Sequence, residues 1–258
     1  MIAACSEAGV RGIHAEKPLC RSLEEGEAAA AAVIRNNVAF SFGTTRRYMQ
    51  AYRSARDMVA SGRFGSALQV HLHFRAGPLQ WAHPHSADLA MFFAGDTEPE
   101  TAQAAFIKRE NWDGKVLDGD PQLAMGLLRF TNGFSALLTA APGCDAAVAC
   151  ERGIVSVLSD GFAVECRFPT PGKRANYFNA VETEQVRPSP SGIQVALAEL
   201  RDAILTGAPL SGGVHLALSG QRALFALALS GLNNGTEIAL RDVPRDFSVI
   251  GRSGELYA

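Results

Sequence analysis

The sequence predicts a mixed α/β chain: a short parallel strand, helix, strand unit followed by a larger α+β part built on a mixed, largely antiparallel sheet. Three observations carry this. Residues 10 to 15 and Val38 to Phe42 read as apolar strands separated by a helix-length segment, the pattern of a βαβ crossover. From about residue 66 the strands lengthen and are joined by tight turns at Asn132-Gly133 and Asp160-Gly161. Two helical stretches, 192 to 206 and 214 to 232, are then expected to pack on one face of that sheet.

The chain has 258 residues, 47% hydrophobic and 19% charged, enough for a sizeable core and two domains. With 24 basic against 26 acidic residues the net charge is -2, which offers no general grip on nucleic acid or an anionic membrane. A small neutral partner is expected instead. The five cysteines (Cys5, Cys20, Cys144, Cys150, Cys166) are widely spaced and form no C-x-x-C, which suits a reducing compartment. MIAACSEAGV lacks the basic start and long apolar run of a signal peptide, so a cytoplasmic location is expected. The longest apolar stretch, Val214 to Leu232, carries His215, Gln221 and Arg222 and predicts a buried helix rather than a membrane span.

In chain order, Ile2, Ala3, Ala4 and Ala8 suit a short helix that Gly9 ends. A chain that opens partway through a helix is expected to lack an upstream segment. Ser22 with Glu25 forms a capping box for a helix running to about Asn37. Glu16, Lys17 and Gly43 then fall at the carboxyl ends of parallel strands, where ligands collect in open sheets. Pro84 marks a helix start that runs to a stop near Gly95. The segment 169 to 191, rich in proline and polar residues, is expected to be a mobile loop.

Lys17 at a buried strand end is desolvated and loses part of its proton affinity, so it can hydrogen-bond a reacting oxygen and stabilise developing negative charge. Pro18 fixes the turn beside it. His85, just inside the helix that starts at Pro84, shares a face with Asp88, Leu89 and Phe92, which points it inward and favours a neutral, proton-accepting imidazole. Asp88 either holds the tautomer of His85 or favours the first helical turn electrostatically. Of Arg46 and Arg47, one is expected to reach a ligand and the other a protein carboxylate. Trp81 and His83 are candidate sugar contacts. The two H-x-H pairs, His71 with His73 and His83 with His85, raise a metal-dependent hydrolase or isomerase as a minor alternative, although no acidic or thiolate ligand is spaced to complete a site. No metal is therefore expected.

Glu16-Lys17-Pro18, the glycine and arginines of GTTRRY, the helix ending SGRFG, and HPHSAD together resemble the Gfo/Idh/MocA oxidoreductase family through nearly the whole chain. The resemblance implies NAD(P)-dependent hydride transfer, with NAD or NADP as cofactor and a sugar or cyclic polyol as substrate. It implies a partial dinucleotide-binding (Rossmann) domain at 1–48 and a substrate-binding and oligomerisation domain at 49–258. Lys17 and His85 would be catalytic; Glu16, Lys17, Pro18 and Arg46 would lie on the cofactor side; Trp81, His83 and Asp88 would face substrate. Two departures stand out. No G-x-G-x-x-G occurs in the sequence, and the position four residues before His85, commonly an aspartate in the family, is Trp81. The first departure gives a rival reading, a non-catalytic sugar-binding or assembly subunit. A homodimer or larger homo-oligomer is expected, because the helices are too few to cover both faces of a large sheet.

Overall fold

The computed structural model describes residues 1–108, 110, 112–170, 178, 180–186 and 190–250. The first unit comprises α1 (Ile2–Glu7), β1 (Gly12–Ala15), α2 (Leu23–Arg35) and β2 (Ala39–Phe42), followed by a 3-10 turn at Thr45–Tyr48. Strands β1 and β2 pair in parallel with Gly12 opposite Ala39 and Ala15 opposite Phe42, as the βαβ pattern predicts. Ser22 caps α2, its Oγ accepting from the Glu25 amide at 3.3 Å. The Glu25 carboxylate, however, accepts from the amide of Arg21 rather than that of Ser22, which takes part in a bridge to Ser248.

The chain continues with α3 (Gln50–Ala60), β3 (Ala67–His73), α4 (Leu79–Ala82), α5 (Pro84–Phe93), β4 (Thr101–Phe106), β5 (Val116–Leu117) and β6 (Leu123–Arg129). It continues with β7 (Ser135–Thr139), β8 (Asp145–Cys150), β9 (Gly153–Leu158), β10 (Ala163–Phe168) and β11 (Ala180–Gln185). Then come α6 (Gly192–Thr206), α7 (Val214–Leu232), β12 (Ile238–Ala239) and β13 (Ser248–Val249). Nine strands form one sheet in the order β11-β10-β9-β8-β3-β7-β6-β4-β12, antiparallel except where β3 meets β7. Turns at Asn132-Gly133 and Asp160-Gly161 join β6 to β7 and β9 to β10.

Alternation along the strands sets the two faces of this sheet. Val70, Leu72, Ala102, Ala136, Leu138, Val148, Val155 and Val164 are fully buried against α3, α5 and α7. The opposite face carries the half-buried His71, His73, Leu127 and Leu137 and the exposed Met125.

Two expectations are corrected. Helix α6 packs not on the large sheet but on β1 and β2. The contact is tight, since a Cβ at Gly12 would run into Ile204, and the Arg11 guanidinium donates to the Ile204 carbonyl. The segment 169 to 191 contains β11, which extends the sheet by pairing with β10 and is held by a bidentate contact between Arg63 and Glu182. The rest of the loop expectation falls largely on 171–177, 179 and 187–189, outside the described residues. Among the described residues no helix is long and apolar enough to cross a membrane.

Candidate active site

The parallel pair delivers its strand ends to one place. The Gly43 amide donates to the Ala15 carbonyl at 2.8 Å, which carries the pairing one residue past β1 and into Glu16-Lys17-Pro18. The Glu16 carboxylate folds over Gly43, where a Cβ would lie 2.7 Å from Oε2, so a larger residue there would push the carboxylate aside. The Lys17-Pro18 peptide is cis. Just beyond it the Leu19 amide donates to Oε1 of Gln221 at 3.3 Å, and Nε2 of Gln221 donates to Oε1 of Gln80 at 2.7 Å. Buried Gln221 of α7 thereby ties the lysine turn to α4.

On α4, Trp81 is half-buried, and Nζ of Lys17 stands 3.1 Å from its ring centroid, a cation–π contact. The carboxylate of Asp120 accepts from the amides of Gln80 at 2.7 Å and Trp81 at 3.0 Å. Helix α5 then begins at Pro84, as predicted, and presents His85 in its first turn. His83 is fully buried with Nδ1 3.0 Å from Ser86 Oγ, whereas Nδ1 of His85 is buried without a hydrogen-bond partner among the described residues.

Burial is the main cause of every proton-affinity shift in this cluster. It pushes His83 down to about 4. It pushes His85 down to about 3, helped by the nearby charges of Arg46 and Lys17. Lys17 is lowered by burial and by Arg46, with Glu16 and Asp120 opposing. Asp120 is raised to about 6 by burial, against the pull of its backbone donors and Lys17. At neutral pH the site therefore combines a partly desolvated ammonium with an uncharged, partly exposed imidazole. Such a pair can donate a hydrogen bond to an oxygen and accept one from it.

Other expected residues are placed differently. Arg46 makes a bidentate contact with Asp160 at 2.8 and 2.9 Å and lies over the Phe74 ring, and its charge acts on His85 and Lys17. The Arg47 guanidinium is fully buried and holds Asp88, with Nε 2.9 Å from both oxygens, and also reaches Asp96 and the Ser211 carbonyl. Asp88 thus answers Arg47, and no hydrogen bond joins it to His85. A desolvated guanidinium needs a carboxylate, and Asp88 supplies it. His71 and His73 lie on the open sheet face, with Nε2 of His71 2.6 Å from Oε1 of Gln69. Among the described residues no three His, Cys, Asp or Glu side chains gather as metal ligands.

The structure thus brings together Lys17, Trp81, His85 and Arg46, with Glu16, Pro18 and His83 beside them. Sequence reasoning missed Asp120 and Gln221. The one signal for Gln221 was a polar residue inside an apolar helix; Asp120 gave none, because its partners lie some 40 positions away.

No family profile matches the sequence, and no curated protein matches it. Solved structures do match the fold. An oxidoreductase from Agrobacterium radiobacter, in complex with NAD+, L-tartaric acid and magnesium, is 15% identical with a TM-score of 0.74, over 93% of this chain and 76% of that one. An inositol dehydrogenase homolog from Azotobacter vinelandii, complexed with NADH and myo-inositol, is 17% identical with a TM-score of 0.72, over 92% and 74%. An aldose-aldose oxidoreductase from Caulobacter crescentus, complexed with glycerol, is 19% identical with a TM-score of 0.74, over 92% and 74%. At these identities the likeness establishes the fold.

Proposed function

We propose that this chain is an oxidoreductase of the Gfo/Idh/MocA type that uses NAD or NADP to transfer hydride to or from a sugar or cyclic polyol. The observation that carries the reading is the meeting of the Lys17 ammonium and the neutral His85 imidazole at the end of a parallel strand. When bound, the cofactor would accept or supply the hydride. Lys17 would hydrogen-bond the substrate oxygen and stabilise its charge, while the partly exposed His85 imidazole would accept the hydroxyl proton. Glu16 would hold Lys17 in place, and Pro18 would shape the wall beside the nicotinamide. Arg46 and Trp81 would line the rim, whereas His83, expected as a sugar contact, is fully buried against Ser86 and serves packing. In this reading 1–48 is the cofactor side and 49–258 the substrate side, and a second copy covers the sheet face bearing His71, His73 and Met125.

The residues present fit the nicotinamide end of the cofactor. Its pyrophosphate would need a glycine-rich turn at a helix start, which these residues do not include. The second reading is a sugar-binding or assembly subunit without turnover. Calorimetric titration of the purified chain separates the two. The oxidoreductase reading expects heat from NAD+ or NADP+ as well as from a sugar or cyclic polyol. Heat from a polyol, with none from any nicotinamide compound, would instead establish the second reading.

A further inference from the structure

Asp120 stands in the connection between β5 and β6, yet its carboxylate closes on α4 through the amides of Gln80 and Trp81. Helix α4 is only four residues long and has no side-chain cap of its own, so it cannot hold its shape unaided. It is also held by the Pro121 carbonyl, which accepts from the Leu79 amide at 2.9 Å, by the Gln80–Gln221 contact, by the bridge from Pro78 to Gln122 and by the fully buried Leu79. Asp120 thus holds the backbone amides at the turn that carries Trp81, and Lys17 rests on the Trp81 ring. One tryptophan joins a carboxylate to an ammonium, and each lies in the field of the other.

We propose that Asp120 is a positioning residue for Lys17: ionised, it holds Trp81 as the platform on which the ammonium sits, and on taking up a proton from solvent it releases that platform. The inference rests on the reading of Lys17 as the group that meets the substrate oxygen. An ionised carboxylate accepts amide hydrogen bonds about twice as strongly as a neutral one, so protonation weakens both contacts to α4 together. The charged group acting on Asp120 is Lys17, from the turn after β1; Glu16 and Arg46 in turn act on Lys17. With Asp120 raised to about 6, and His83 and His85 lowered to about 4 and 3, its titration is separated from theirs.

The test needs neither cofactor nor substrate. The chain has two tryptophans, and the other, Trp112, packs edge-on against Phe247. In a Trp112→Phe background, Trp81 emission should shift to the red in one step centred near pH 6 as the pH falls. The step should vanish in Asp120→Asn, which cannot ionise. A step retained in Asp120→Asn, or no step between pH 5 and 7 in the parent, overturns the proposal. Should Asp120→Asn not fold, the dimethylated Lys17 resonance of the parent chain serves: a secondary step near pH 6 supports the proposal and its absence refutes it. Because these readouts are independent of turnover, the step can be present even if nicotinamide binding is absent, which would overturn the oxidoreductase reading alone.

Discussion

Nζ of Lys17 lies 3.1 Å from the centroid of the Trp81 ring, so the site's primary amine is held on an aromatic face rather than in bulk water. Partial burial lowers its proton affinity from the ordinary lysine value of 10.5, while Lys115, paired with Asp246 at the surface, is raised. The sequence has four lysines, so reductive methylation with labelled formaldehyde gives a small set of carbon resonances to titrate. Lys17 should titrate below 10.5 and Lys115 above it. The reverse order would mean that Lys17 points into solvent.

The Arg47–Asp88 pair should matter for stability far more than for proton chemistry. Arg47 is 0% and Asp88 7% exposed in their side chains. Removing Asp88 leaves the buried guanidinium with only Asp96 and the Ser211 carbonyl, so Asp88→Ala should lower unfolding stability by about 3 kcal/mol. Urea denaturation checks the size of the loss. A loss below about 1 kcal/mol, in the range of an exposed pair, would contradict the burial of this one.

That pair also shows where sequence reading reaches its limit. The βαβ unit, the hairpins at Asn132-Gly133 and Asp160-Gly161, and the spans of α6 and α7 are legible because periodicity and turn residues are local signals. The choice of β1 and β2 as the packing surface for α6 is not local, and nothing in its own residues announces it. Lys17 and His85 are legible because a strand end and a proline-marked helix start aim them. Whether Asp88 serves His85 or Arg47, and that Asp120 braces Trp81, depend on segments some 40 positions apart.

His85 should make the fold acid-sensitive. Its folded value, about 3, lies below the ordinary 6.5, so the unfolded chain binds the proton first as pH falls. The stabilising contribution is complete above 6.5 and drains away between 6.5 and about 3. Relative to His85→Asn, the parent should therefore lose stability steadily through that window. Denaturation midpoints measured on both chains at several pH values give the difference directly, and a constant difference would show that His85 is not buried as described. Arg46→Met should raise His85 only part of the way back toward 6.5, since burial is the larger cause. A proton NMR titration reads that shift.

The assignment of Lys17 and His85 to the reacting oxygen is tested most directly by turnover. The parent chain, Lys17→Met and His85→Ala would be assayed with NAD+ and NADP+ over a panel of sugars and cyclic polyols, following reduced nicotinamide absorbance, with substrate affinity measured separately by calorimetry. If both side chains act mainly on the transition state, each variant should lose about two orders of magnitude or more in kcat while its substrate Kd changes little. Near-parental kcat in both variants would contradict the assignment.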